Sequence, residues 1–230
     1  MTHDGRRRAI LAIDTATTRV VIATGTPDGV ADGVSTWPAG HRHGETLLPS
    51  IGRFLGEQNI RRSSLTGIVV GTGPGAFTGL RVGIATAKGI AHGLGIPLVG
   101  VSTAEAFIDA AAIALGTPAE RIVLLVPAGP SDRIAVRRGA APLLLPGGSE
   151  PSLDEGDVLV AIDLAERAPA DAVERGEIAR AGLGTALVRA GATRLRERSN
   201  ELETLVPEYV TLPRGARPAT GTVAWSRDPR

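Results

Sequence analysis

Gly71-Thr72-Gly73-Pro74-Gly75-Ala76-Phe77-Thr78-Gly79-Leu80-Arg81-Val82-Gly83 is the stretch on which the reading of this chain turns. The apolar run before it, Ile68-Val69-Val70, reads as a buried strand, and Ile84 to His92 after it reads as a helix. Strand, glycine-rich loop and helix is the order in which backbone N–H groups surround an anion at a helix start. It is also the order in which a tight turn lets a helix pack close to a sheet, because glycine tolerates close approach. Spacing alone leaves both readings open. The named phosphate motifs do not fit. A P-loop needs a Gly-Lys pair, and the sequence has none. Gly71-x-Gly73-x-x-Ala76 matches the dinucleotide fingerprint only loosely, and it follows an internal strand where that fingerprint opens its fold.

Gly79, Gly83, Ala87 and Ala91 recur every four residues, so they share one helical face. A face without bulk admits another element closely. That element is either the chain's own sheet or neighbouring helix, or a partner protein.

The 230 residues can bury a substantial core, as one large domain or two smaller lobes. Hydrophobic residues make up 43%, so the chain is globular, but aromatics make up only 3%, so the core is aliphatic. Few aromatic platforms remain for stacking single-stranded nucleic acid. A net charge of +1 argues against a strong stand-alone nucleic-acid binder. The absence of cysteine excludes disulfides, thiolate metal sites and thiol nucleophiles. Arg6-Arg7-Arg8 precedes the apolar run from Ala9 to Ile13, but Asp14 ends that run too early for a signal peptide. No stretch approaches the roughly 20 apolar residues of a membrane helix, so a cytoplasmic location is expected.

Taken in order, Ala9 to Ile13, Arg19 to Thr24 and Val30 to Trp37 read as three meandering strands. The turn Asp14-Thr15-Ala16-Thr17-Thr18 presents a carboxylate and hydroxyls that suit a phosphate or a metal–water shell, although an Asx-type turn capping its own backbone is the simpler reading. Leu47, Leu48, Ile51, Phe54 and Leu55 have helical spacing. His41, His43 and Glu45 before them are metal-capable types without the spacing that places two ligands on one helical face, so capping or packing is expected of them. Ile96 to Val101 reads as a strand, and Ser102-x-x-Glu105 as a capping box opening a helix to about Ala114. The second half restarts with strands at Arg121 to Val126, Ile134 to Arg137, Leu143 to Leu145 and Val158 to Ile162, then a helix around Leu183 to Arg196. It echoes the first half, which points to a duplicated unit and two lobes around a cleft. The expected division is a first lobe at 1–104, a smaller, diverged lobe at 105–213, and a disordered tail at 214–230.

Three segments, ILAIDTATT, RHGETLLPSI and VGTGPGAFTGLRVGIATAKGIAHGLGIPLVGVSTAEAF, together resemble the TsaB (YeaZ) family. The match is dense over residues 9–107 and beyond them rests mainly on Pro207-Glu208-Tyr209-Val210. The resemblance implies an α/β fold of the actin/Hsp70/sugar-kinase (ASKHA, ribonuclease H-like) type, with two lobes each built on a mixed sheet with flanking helices. It implies a degenerate, non-catalytic paralogue of TsaD. With a TsaD-like subunit and a TsaE-like ATPase, such a chain is needed for threonylcarbamoyl transfer to the adenosine beside the anticodon of tRNAs reading codons that start with A. It also implies a homodimer when the chain is alone, contact with tRNA through the complex, and no membrane.

No catalytic or metal-binding group is expected, and no cofactor is required; nucleotide is the one candidate ligand. Its expected anion-binding residues are Asp14, Thr15, Thr17, Gly73 and Gly75, and the expected partner interface is Gly79, Gly83, Ala87 and Ala91. The family often keeps Asp-Ala-Arg where this chain has Val126-Pro127-Ala128-Gly129-Pro130, which weakens ligand binding by the second lobe. An active ATPase or phosphotransferase of the same fold is the alternative, with Asp14 holding the metal–water shell. A peptidase has no nucleophile or metal site to support it.

Overall fold

The computed structural model describes residues 8–39, 43–197, 200–208 and 210. The first half runs β1 (Ala9–Asp14), β2 (Arg19–Gly25), β3 (Ala31–Pro38), α1 (His43–Glu57), β4 (Leu65–Gly71), α2 (Phe77–Leu94), β5 (Leu98–Val101) and α3 (Thr103–Leu115). Its sheet has the order β3-β2-β1-β4-β5. The β1–β2 and β2–β3 pairs are antiparallel, and the β1–β4 and β4–β5 pairs are parallel. The second half runs β6 (Ile122–Pro127), β7 (Arg133–Val136), β8 (Leu143–Leu145), β9 (Val158–Ala161) and α4 (Ala170–Arg196), with sheet order β8-β7-β6-β9. Its pairings repeat those of β1 to β4, with β6–β9 the parallel pair. Among the described residues nothing in the second sheet corresponds to β5. The expected duplicated α/β unit with two mixed sheets is therefore present.

Burial explains the strand sequences. β1 is buried on both faces and is apolar from Ala9 to Ile13. The edge strand β3 alternates between half-buried and exposed residues instead. On one face of the first sheet, Leu11, Ile13, Ile68 and Val70 pack with Leu47, Ile51, Ala87 and Ala91 of α1 and α2. On the other face, Ile10, Ala12 and Val69 join Phe107 of α3, Leu183 and Leu187 of α4, and Leu124 and Val160 of the second sheet. α3 and α4 thus lie between the sheets, and one core ties the lobes together. The expected boundary at 104/105 falls inside α3; the expected tail and residues 1–7 lie outside the described residues.

Two helices extend beyond their expected limits. α2 begins at Phe77 and includes Gly79 and Gly83. α4 begins at Ala170, and its glycines set its approach. A Cβ at Gly176 would overlap the Ala161 carbonyl of the second sheet, and one at Gly191 would overlap Val69 of the first. Ser102 caps α3 as expected, accepting from Glu105 N at 3.5 Å. The carboxylate of Glu105 accepts from Gly139 N at 3.2 Å.

Residues 200–208 form a strap along the free edge of β5. Leu98 N donates to Asn200 Oδ1 at 3.2 Å, Gly100 N donates to Glu201 Oε2 at 2.9 Å, and Glu201 N donates to Leu98 O at 2.8 Å. Leu205 packs over Gly100, where a side chain would leave no room. The strap ends over the glycine-rich loop, where Thr72 exchanges bonds with Glu208: Thr72 Oγ1 donates to Oε1 at 2.5 Å, and Glu208 N donates to Thr72 O at 2.8 Å.

Candidate functional site

The parallel strands β1 and β4 carry the first turn and the glycine-rich loop out of the sheet side by side. Asp14 ends β1 and is fully buried. Its Oδ1 accepts from Ala16 N at 3.0 Å, and its Oδ2 accepts from Thr103 Oγ1 at 2.6 Å. Thr103 Oγ1 in turn accepts from Gly73 N at 3.1 Å. Ser102 Oγ and Ala104 N both donate to Gly73 O, at 3.2 and 3.3 Å. Ala76 N donates to Ala16 O at 2.7 Å, and Thr15 Oγ1 donates to Gly79 O at 2.7 Å. The expected residues Asp14, Thr15, Gly73 and Gly75 do converge, but the Asp14 carboxylate, the Thr15 hydroxyl and the Gly73 amide are bonded to the chain itself, and Gly75 lies against Ala16. Thr17 stands beside them, its hydroxyl donating to Arg19 O at 3.0 Å.

The glycines explain how the segments come so close. A Cβ on Gly71 would overlap Asp14, one on Gly75 would overlap Ala16, and one on Gly79 or Gly83 would overlap Thr15, each closer than 3.0 Å. The loop and helix lie directly on the first turn, so of the two readings of the glycines the geometry favours close packing. It also corrects the expected interface. Gly79, Gly83, Ala87 and Ala91 face inward, the glycines against Thr15 and the alanines at 0% exposure in the core.

The outward face of α2 carries Ala85, Gly89, His92 and Gly93, all exposed, with open space around both glycines. Arg81, also exposed, lies 3.8 Å over the Phe77 ring. α1 beside it shows Gly44 and Gly56 in open space and Leu48 at 56% exposure.

Burial raises the Asp14 carboxyl above its ordinary value. The Thr103 and Ala16 hydrogen bonds and the Arg180 charge pull it down, and the Asp163 charge adds to the rise. A folded value above the unfolded one stabilises the fold fully below the unfolded value, about 3.9, and that contribution is lost as pH rises through the folded value. Asp14→Asn removes this dependence. Urea unfolding from pH 4 to pH 8 is expected to show the wild type losing stability relative to the variant as pH rises.

The family model described as "TsaD: tRNA N6-adenosine threonylcarbamoyltransferase" matches residues 28–143, half of the chain. The chain belongs to this family. Within it, the resemblance to TsaB/YeaZ holds in sequence and in fold. The chain is 36% identical over 94 residues to the "tRNA threonylcarbamoyladenosine biosynthesis protein TsaB" of Escherichia coli, covering 41% of this chain and 40% of that one. It is 40% identical over 98 residues to an uncharacterized protein of Mycobacterium tuberculosis, covering 42% and 46%. These alignments span less than half the length of either relative. The solved structure of YeaZ from Pseudomonas aeruginosa superposes with a TM-score of 0.67, at 23% identity, covering 88% of this chain and all of that one, which shows the shared fold.

Among the described residues, no group of three or more His, Cys, Asp or Glu is placed to hold a metal ion, and no helix is long and apolar enough to cross a membrane. His41 lies outside the described residues. In the second lobe, Arg167 Nη1 donates to Gly129 O and Pro130 O, both at 2.8 Å, and so fastens the turn after β6.

Asp163 and Arg180, neither of them among the expected site residues, meet Thr18 at the first turn. Thr18 N and Oγ1 donate to Asp163, and Arg180 bridges Asp163 to Thr17. A signal existed: Ala161-Ile162-Asp163-x-Ala165 repeats Ala12-Ile13-Asp14-x-Ala16.

Proposed function

We propose that this chain is a non-catalytic scaffold subunit in threonylcarbamoyladenosine formation on tRNA, working in the cytoplasm with a TsaD-like subunit and a TsaE-like ATPase. The observation that carries this reading is the first turn: its family-matching glycines press α2 onto Asp14 and Thr15, and the buried polar groups bond to one another. An ATPase of this fold would need that carboxylate and those amides turned toward a ligand. The relatives' names supply the pathway.

The partner surface in this reading is the outward side of α1 and α2. Open glycines inside helices lower helix stability by roughly 0.5–1 kcal/mol each relative to alanine, and a close-packed partner offsets that cost. The test is Gly89→Leu, since a Cβ there meets nothing within 4 Å. The variant is expected to fold with equal or higher melting temperature. Its affinity for the TsaD-like subunit, read by calorimetry, is expected to fall about tenfold or more, equivalent to about 1.4 kcal/mol. The rate of tRNA modification by the reconstituted subunits should fall with it. Unchanged affinity would remove this surface from the reading, and full modification by the other subunits without this chain would remove the scaffold role.

A further inference from the structure

Asp163 follows β9 in the second lobe, and its carboxylate reaches the first lobe. Oδ2 accepts from Thr18 N at 2.7 Å; Oδ1 accepts from Thr18 Oγ1 at 2.5 Å and from Arg180 Nη2 at 2.8 Å. Arg180 Nη1 donates to Thr17 Oγ1 at 3.3 Å, and its Nε donates to Glu177 Oε1 at 3.2 Å. The Arg180 and Asp163 side chains are only 7% and 8% exposed. A backbone N–H, a hydroxyl and a guanidinium, brought by the first turn and α4, thus converge on one oxyanion. That donor set binds a free carboxylate or phosphate. Here the anion belongs to the chain.

The backbone points the same way. Asp163 has a φ of 57°, in the left-handed region that costs a non-glycine residue energy. A glycine would suit that conformation better, but it would bring no carboxylate. The loop therefore holds a costly backbone geometry while delivering an anion to the opposite lobe.

We propose that Asp163 is an internal ligand: its carboxylate fills an oxyanion cradle formed by Thr18 and Arg180, with Thr17 holding Arg180 in place, fastening the loop after β9 to the turn after β1. The cradle takes a free carboxylate or phosphate only when Asp163 leaves it. This inference stands apart from the scaffold reading and does not depend on any partner.

Asp163→Gly is the direct test, because it deletes the carboxylate while relieving the backbone at that φ. Thermal melts of wild type and variant are compared in sodium formate, sodium phosphate and sodium chloride of equal ionic strength, with amide hydrogen exchange read at Thr18. In chloride, the variant is expected to lose protection at Thr18. Formate or phosphate should restore that protection and raise the melting temperature by several degrees, saturating with concentration. The wild type should show only the general, non-saturating salt response, smaller than that of the variant. Rescue by formate alone assigns a carboxylate-sized cradle, and rescue by phosphate assigns one that admits the larger anion. A variant that folds only in formate or phosphate supports the proposal equally. Failure of both anions to act, or an equal response by the wild type, overturns it.

Discussion

Gly83→Leu is expected to unfold the chain, although a glycine-to-leucine change inside a helix ordinarily favours the helix. A Cβ at Gly83 lands on the Thr15 hydroxyl, with Thr15 Cβ and Cγ2 at 3.3 and 3.4 Å behind it. The hydroxyl is itself buried and bonded to Gly79 O. Overpacking at such a site costs about 1–3 kcal/mol. Displacing the hydroxyl from its acceptor costs about 1–3 kcal/mol more. Together these come to about 2–6 kcal/mol, which reaches the lower end of the stability of an ordinary domain, about 5–15 kcal/mol. Circular dichroism during urea titration should show the midpoint falling sharply or the folded baseline missing. A folded Gly83→Leu protein of near-native midpoint would mean that α2 does not sit on the first turn as described. The contrast with Gly89→Leu on the same helix separates the inward face from the outward one.

Phe107→Ala should cost about 3–5 kcal/mol, the usual range for truncating a fully buried phenylalanine. Phe107 is 0% exposed at the centre of the core that spans both sheets. For a chain of this length such a loss lowers the melting temperature by on the order of 10 °C. Calorimetry should show one transition, shifted as a whole, because α3 belongs to both lobes. Two peaks, only one of them displaced, would mean the lobes melt as separate units.

The strands were legible because their signal is local. Ala9 to Ile13 and Ile122 to Val126 are short apolar runs bounded by turn residues, and both lie where expected. The first half of α4 was not legible because Ala172, Gly176 and Ala179 carry its buried face, and small residues give a helical period little hydrophobic contrast. The four-residue repeat on α2 identified a close-packing face but not its direction. What it packs against is Thr15, some 64 residues earlier in the chain, together with the sheet. The first turn was recognised as a candidate site from its Asp and hydroxyls. The repeat of Ala12-Ile13-Asp14 at Ala161-Ile162-Asp163 marks Asp163, but its meeting with Thr18 and Arg180 depends on how the lobes pack, which that repeat does not encode.

The strap along β5 has a consequence for synthesis on the ribosome. The amides of Leu98 and Gly100 find their acceptors 102 and 101 residues further along the chain. At about 5–20 residues per second, translation leaves that sheet edge without its own cover for roughly 5–20 s. During that interval it is open to pairing with another nascent strand. The first lobe's safe passage through synthesis is therefore tied to residues made after the second lobe.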